Sequence, residues 1–307
     1  MAFISETSVA IILVNWNGLE FTLACLASLR KVDYPTFKVI LVDNASSNEE
    51  GLRIKKAFPE IHLIQNQENL GFTGGNNVGI RYALEQGFSH VLLLNNDTEV
   101  KPDFLGEMLL QFSQQPHLGV VQPLILFLHN PKIIWSAGGK FLPFSGRAIT
   151  LGDQDVLADY RTNKQELDWA TGCCFLIKRE ALLHCGLLND SYFTYFEDVE
   201  WSLRIRKSGF GIGLAEKAIV YHEAGAASKK KNSEGTLSPN VFYFHVRNQY
   251  FLLRELKITY GFVYHSFRFL LWAGYFMMRG RFQKMKAVIK GIRDGLTQQI
   301  KPAERWP

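Results

Sequence analysis

The sequence predicts an α/β protein: a mixed, mainly parallel sheet with helices on both faces, followed by a helical C-terminal extension. Three observations carry this. Over the first 130 residues, short continuous apolar runs alternate with helix-period segments, the pattern of strands buried on both faces. Polar residues collect at the ends of three of those runs. From about residue 228 the chain turns basic, aromatic and helix-patterned.

The elements follow in order. Val9–Asn15 (VAIILVN) is a strand, and Leu19–Leu29 has helical spacing. Phe37–Ser46 is a second strand, followed by a helix that runs through Phe58. Ile61–Asn66 is a short third strand. The glycine-rich stretch after it reads as a turn leading into a helix over about Asn76–Gln86, with Asn76 or Asn77 placed to cap it. His90–Asp97 is a fourth strand. Between Gly119 and Ile177, short strands and many turns predict a mixed or antiparallel edge, ending in a buried strand over Trp169–Ile177. Short helices are expected at Arg179–Cys185 and Val199–Ser208, then a strand through IGLAEKAIVYHE. Gly225–Asn240 is polar and rich in small residues, hence expected to be mobile. The domain division predicted is 1–227 for a catalytic part (donor half about 1–130, acceptor half about 131–227) and 228–307 for the helical region.

With 47% hydrophobic and 21% charged residues among 307, the chain can bury a sizeable core and is not a disordered polymer. Cys25, Cys173, Cys174 and Cys185 form no CxxC pair and read as buried reduced thiols; with no signal-peptide pattern, a cytoplasmic location is expected. Residues 228–307 hold 15 Lys/Arg against 4 Asp/Glu, whereas the first 227 hold 19 against 25. A basic tail of this kind suits an anionic membrane surface, and no nucleic-acid-binding motif accompanies it.

Four segments carry candidate chemistry. In parallel sheets ligands bind beyond the carboxyl ends of the strands, where Asn15, Asp43, Asn44, Asn95, Asn96 and Asp97 fall. NLGFTGGNNVG (Asn69–Gly79) is neither GxGxxG nor a P-loop; its glycines suit a phosphate or ribose, and equally a ligand-free tight turn. LLLNNDT puts Asp97 at a strand end, fit either for Mg²⁺ or Mn²⁺ or for capping the next turn. YFTYFEDVEWSLRIRKSGF crowds Glu197, Asp198 and Glu200 at a helix start. Mutual repulsion there raises carboxylate pKa values towards that of a base, and the same acids complement a helix dipole. His222 ends a strand in VYHEAG, a position more often structural than ligating.

Taken together and in this order, VNWNG, VDNASS, NLGFTGGNNVG, LLLNNDT, ATGCCFLIKRE, YFEDVEWSLRIRKSGF and VYHEAG resemble the family 2 glycosyltransferases of the GT-A fold, particularly the rhamnosyltransferase branch, over about residues 8–225. The resemblance implies an inverting transferase that moves a sugar from a nucleoside-diphosphate donor (dTDP-rhamnose favoured, a UDP-sugar the alternative) to a glycan or lipid-linked glycan. It implies donor contacts from Val14, Asn15, Trp16, Asp43, Asn44, Gly71, Gly74, Gly75, Asn77, Asn96 and Asp97. A divalent cation, Mg²⁺ or Mn²⁺, would be held by Asp97 and His222, with Asn95 standing where the family's DxD motif has its first acid. Asp198 matches the catalytic base and Glu197 its orienting neighbour; Trp169, Thr171, Gly172 and Trp201 match acceptor-side elements. The competing readings are a nucleotidyltransferase, which would carry a basic glycine-rich loop after the first strand, and a non-catalytic nucleotide-sugar-binding protein of the same fold, which would not need Asp97, Asp198 and His222 together.

In the tail, Ile258–Gly280 is apolar for about the length of a membrane span, but His265 and Arg268 interrupt it. The expectation is a helix lying in the membrane interface at the inner face of the cell membrane, or one docking on the catalytic part or on a second subunit as a homodimer contact.

Overall fold

A run of apolar side chains with no polar face has to be covered on both sides, and Val9–Asn15 (β1) lies inside a sheet, between Phe37–Asp43 (β2) and His90–Leu94 (β4), parallel to both. The computed structural model describes residues 7–161, 166–223 and 234–306. Around β1 follow, in chain order, α1 (Leu19–Leu29), α2 (Glu50–Ala57), β3 (His62–Gln65), α3 (Gly71–Glu85), β5 (Thr98–Val100), α4 (Phe104–Gln114), β6 (Leu118–Phe127) and β7 (Asn130–Ser136). Then come the hairpin β8 (Gly139–Leu142) and β9 (Arg147–Thr150), followed by β10 (Cys174–Lys178), α5 (Arg179–Cys185), α6 (Glu197–Lys207) and β11 (Gly211–His222). Three helices close the chain: α7 (Pro239–Leu256), α8 (Thr259–Met278) and α9 (Phe282–Thr297).

The main sheet has the order β3-β2-β1-β4-β10-β6-β11-β5, with β7 also paired to β6. Strand β10 runs antiparallel to both its neighbours, and β5 runs antiparallel to β11; the remaining strands of that path run parallel. Alternate β1 side chains enter opposite cores. Val9, Ile11 and Leu13 pack with α1, α2 and α4, whereas Ala10 and Ile12 pack with α3, α5 and α6. The C-terminal helices form a core of their own around Val246, Tyr250, Phe269 and Val288. The final segment returns to the sheet part, where Glu304 O accepts from Leu187 N and Trp306 joins the second core.

Two expectations are corrected. The antiparallel element is not an edge: β6 and β10 sit in the middle of the sheet, and β10 occupies only Cys174–Lys178 of the stretch expected to be a strand. The glycine-rich stretch is not a turn before a helix but the first two turns of α3, which starts at Gly71. The glycines are there for close approach: a Cβ on Gly75 would stand 2.9 Å from Val14 Cγ1, and one on Gly79 would stand 2.6 Å from Ile12 Cγ2. Asn76 and Asn77 therefore cap nothing. Asn76 Nδ2 donates to Phe72 O, and Asn77 Nδ2 donates across to Leu188 O and Asp190 Oδ1. Most of the stretch expected to be mobile (residues 225–233 of it) lies outside the described residues; its last residues begin α7, with Ser238 before Pro239 in the first turn.

Candidate active site

At the carboxyl ends of β1 and β2 a polar network replaces the apolar core. Asn15, fully buried, donates through Nδ2 to Asp43 Oδ1 (3.1 Å), Ser46 Oγ (2.9 Å) and Glu50 Oε2 (3.1 Å), and accepts from Thr22 Oγ1 at 2.7 Å. Glu50 Oε2 also accepts from Gly18 N. Asn96 Nδ2 joins through Thr22 Oγ1 at 2.8 Å. The result is a rigid floor of carboxylates and amides beneath Trp16, which is about half exposed.

Beyond β4 the chain turns through Asn95–Asp97, and Asn95 N donates to Cys173 O at 2.8 Å, which ties this turn to the start of β10. Asp97 Oδ1 lies 3.1 Å from His222 Nε2 at the end of β11, with both side chains largely buried. Pairing of His222 with Thr98 in the β11–β5 ladder fixes that approach. Trp135 meets the His222 ring edge-on at 4.4 Å, and His222 Nδ1 is buried without a protein partner. An oxygen and a nitrogen donor side by side are a suitable start for a divalent-ion site. Among the described residues no third His, Cys, Asp or Glu joins them, so further ligands would come from elsewhere, such as a substrate's phosphates. The pair fits a metal held partly by its ligand.

The carboxylates at the start of α6 are the second feature. Glu197 is buried, and its Oε2 has no hydrogen-bond partner; burial pushes its carboxyl well above the ordinary range, and the charge of Asp198 adds to this. Burial raises Asp198 as well, but Gly172 N donates to its Oδ2 at 3.0 Å and Val199 N to its Oδ1 at 2.8 Å, which favours the ion. The two environments push the pair apart. Of the two, Asp198 is the one whose ionised form is hydrogen-bonded, and Glu197 the one whose neutral form burial favours.

What aims that carboxylate is the aromatic segment before it. Phe193, Tyr195 and Phe196 all have left-handed backbone (φ 64°, 68° and 69°), a conformation that side-chain-bearing residues rarely adopt. From α7, Asn248 Nδ2 donates to the carbonyls of Tyr192, Thr194 and Tyr195 at 2.7–2.8 Å. Arg247 donates to the carbonyls of Ser191 and Tyr192, and holds Asn248 Oδ1 at 2.8 Å. Across the segment, Phe193 O accepts from Phe72 N and Thr73 N of α3, and a Cβ on Gly71 (φ +72°) would lie 2.5 Å from the Phe193 ring. The segment leading to Asp198 is thus braced between α3 and α7.

Comparison with known proteins identifies the family. The sequence model of glycosyltransferase like family 2 matches residues 7–236. The chain belongs to that family. It is 29% identical over 214 residues to the low-salt glycan biosynthesis hexosyltransferase Agl10 of Haloferax volcanii, covering 69% of this chain and 66% of that one, slightly under two thirds of its length. It is 24% identical over 225 residues to the N-acetylglucosaminyl-diphospho-decaprenol L-rhamnosyltransferase of Mycobacterium tuberculosis, covering 66% and 72%. The mannosyltransferase PcManGT of Pyrobaculum calidifontis, solved with GDP-Man and Mn²⁺, superposes over 96% of this chain and 89% of its own with a TM-score of 0.57 at 14% identity. That likeness places the fold in the GT-A class.

In this family 2 chain the expected site residues divide. The structure brings Asn15, Trp16, Asp43, Asn96, Asp97 and His222 to the strand ends, and gathers Thr171, Gly172 and Glu197 around Asp198. Thr171 and Gly172 serve Asp198 directly, and Thr171 N is held by the buried Gln122 at 2.7 Å. Two tryptophans are corrected. Trp201 is fully buried, stacked on Phe175 at 4.8 Å, with its indole N–H on Gly186 O, so it cannot face an acceptor. Trp169 is also buried; its indole donates to Lys140 O and fills the space over Gly139. Asn44 is occupied in holding the 66–71 loop, and Val14, Gly74, Gly75 and Asn77 in packing α3. The first amides of α3 are taken up by Asn69 Oδ1 and Phe193 O. Asn95 lies at the same turn, its backbone tied to Cys173 and Thr98. All four cysteines are buried free thiols, as expected. The HVRNQYF stretch (His245–Phe251) resembles the family too, but nothing in the sequence assigns a role to Asn248 within it, nor to Gln122; the polar Arg-Asn-Gln run inside an otherwise aromatic helix is the one signal.

Proposed function

We propose that the chain is an inverting, metal-assisted glycosyltransferase that moves a sugar from a nucleoside-diphosphate donor to a hydroxyl of a glycan or lipid-linked glycan. The observation that carries the reading is the carboxylate pair at the start of α6, a buried Glu197 with an unpartnered Oε2 beside an amide-held Asp198, at the same end of the sheet as Asp97 and His222. Rhamnose from dTDP-rhamnose is the favoured donor, on the strength of the mycobacterial L-rhamnosyltransferase relative; a UDP-sugar is the alternative.

Asp198 accepts the proton of the attacking hydroxyl, since its two amide contacts leave lone pairs free on a carboxylate. Glu197 stays neutral, so that the pair carries one negative charge. Asp43, Asn15 and Trp16 form the floor on which the base and ribose rest, with Asn96 beside them; Gly71, Gly74, Gly75, Asn44 and Asn77 shape that floor from beneath. Asp97 and His222 would hold the divalent ion, Mg²⁺ or Mn²⁺, and His222 would favour Mn²⁺ because imidazole nitrogen is a poor partner for the oxygen-seeking Mg²⁺. When bound, that ion neutralises the charge growing on the departing diphosphate. Direct attack by the acceptor oxygen, its proton passing to a single base as the diphosphate leaves, gives inversion at the anomeric carbon.

Asp198→Asn is the test. Transfer should fall by about 10²–10⁴-fold, the usual worth of a general base, with donor affinity unchanged by calorimetry. Normal turnover by this variant would sink the assignment. In parallel, EDTA should abolish transfer and Mn²⁺ restore it better than Mg²⁺; full activity in excess EDTA would remove the metal from the scheme.

A further inference from the structure

Helix α8 is apolar on both sides. One side packs inward through Gly261, His265, Phe269, Ala273 and Phe276. The opposite side carries Val263, Phe267, Leu270, Leu271 and Met278 at i, i+3, i+4 and i+7 spacings, each more than half exposed. The two groups that interrupt its hydrophobicity are turned off that face. His265 is fully buried with Nε2 on Ser145 O at 3.1 Å, and Arg268 lies over the Trp272 ring at 4.8 Å. Beyond the helix, Phe144 on the β8–β9 hairpin is exposed and stacked on Tyr260 at 4.2 Å, so the apolar surface runs on to the hairpin that abuts Trp169. This is a contiguous patch, of the kind that marks an interaction site.

Charge selects the occupant. From Leu256 to Arg293 there are eight Lys/Arg and no Asp or Glu. Arg279 and Arg281 bracket the turn between Met278 and Phe282, and Lys286, Lys290 and Arg293 are exposed on α9. A two-fold contact with a second copy would set this patch against itself, basic residues facing basic residues, with the nearby Asp294 already paired to Arg293 at 2.8 Å. Nor does any helix among the described residues have the length and apolarity to cross a membrane. We propose that the outer face of the α8–α9 hairpin lies in the interface of an anionic lipid bilayer, apolar side chains among the acyl chains and the basic residues at the headgroups. The hairpin carrying Phe144 would then bring the acceptor side of the catalytic part to the lipid surface.

The test is co-sedimentation of the full chain with phosphatidylcholine vesicles containing or lacking phosphatidylglycerol, with no readout from transfer activity. The expected result is binding to the anionic vesicles only, weakened by raised salt. Phe267→Ser with Leu271→Ser, and separately Arg279→Glu with Arg281→Glu, should each lower binding by roughly tenfold or more, with circular dichroism unchanged because Phe267, Leu271 and Arg279 are exposed and Arg281 is partly so. If the apolar pair unfolds the chain, the charge pair decides alone. Failure to pellet with anionic vesicles, or binding indifferent to the charge reversal, would overturn the proposal. So would a concentration-dependent dimer in light scattering that the charge reversal leaves intact and the apolar pair dissolves.

Discussion

Asn248→Ala tests whether the aromatic segment before the base is held from α7. One amide group shares its two N–H protons among three buried carbonyls within 2.8 Å. A buried hydrogen bond is worth about 1 kcal/mol net, and leaving its acceptor unpaired costs about 1–3 kcal/mol. The segment it holds contains three left-handed residues, each storing at least ~1 kcal/mol of backbone strain. Removing the amide therefore releases strain comparable to the bonding it loses, so the segment should relax and not simply lose stability. The expected result is a modest loss, about 2–3 kcal/mol, together with a fall in kcat of tenfold or more as Asp198 loses its aim. Donor affinity, set at the other strand ends, should be unchanged. Asn248→Asp should be no better, because it replaces the donor with an anion facing three carbonyl oxygens. Steady-state kinetics, donor titration by calorimetry and thermal melts measure the three quantities. If Asn248→Ala loses stability but keeps wild-type kcat, the brace is structural only and the reasoning is refuted.

Two further expectations follow from the same geometry. Glu197 has a raised pKa in the fold, so the folded state binds its proton more tightly than the unfolded chain and stability falls as pH rises through and beyond the ordinary glutamate range. Glu197→Gln removes that charging cost, and its melting temperature relative to wild type should climb between pH 5 and pH 8; a constant difference across that range would show that Glu197 is not the protonated member. At Gly71, alanine meets both a left-handed backbone and the Phe193 ring; Gly71→Ala should lower stability by ~2 kcal/mol or more and also reduce kcat, whereas Gly87→Ala, left-handed but with open space around it, should cost only the backbone strain and leave kcat alone.

Much of the sheet was legible because β1, β2 and β4 are unbroken apolar runs whose period admits no other reading. Strand β6 was not, and the reason is Pro123. A proline in mid-strand ordinarily argues against a strand, since it offers no N–H to the ladder. Here the partner accommodates it: β11 pairs Ala215 with Pro123 and then Ile219 with Leu124, bulging by three residues at the place where the donor is missing. The α3 start was misread for a related reason. Glycine costs a helix about 1 kcal/mol per residue, so a glycine-rich run reads as a turn; nothing local reveals that Ile12 and Val14 of a strand far away in the chain press against it.

The site itself was half legible, and the division has a physical cause. Acids and histidines at element ends stand out by residue type, and the motifs around Asp97, His222 and Asp198 carried the family resemblance; the structure does bring Asp97 and His222 together. Trp201 shows the limit of that signal. It stands three residues after Asp198, close enough in sequence to suggest shared work, yet its ring stacks on Phe175 in the core while Asp198 answers to Gly172. Residue type locates chemistry, but the face of the helix decides who takes part in it. The braces from Asn248 and Gln122 were illegible for a deeper reason. Their partners are backbone groups at Tyr192, Thr194, Tyr195 and Thr171, and a carbonyl or an amide N–H has no residue identity. A sequence can record the side chain that reaches, but not the peptide group that is held, and in this protein the aim of the base depends on the second.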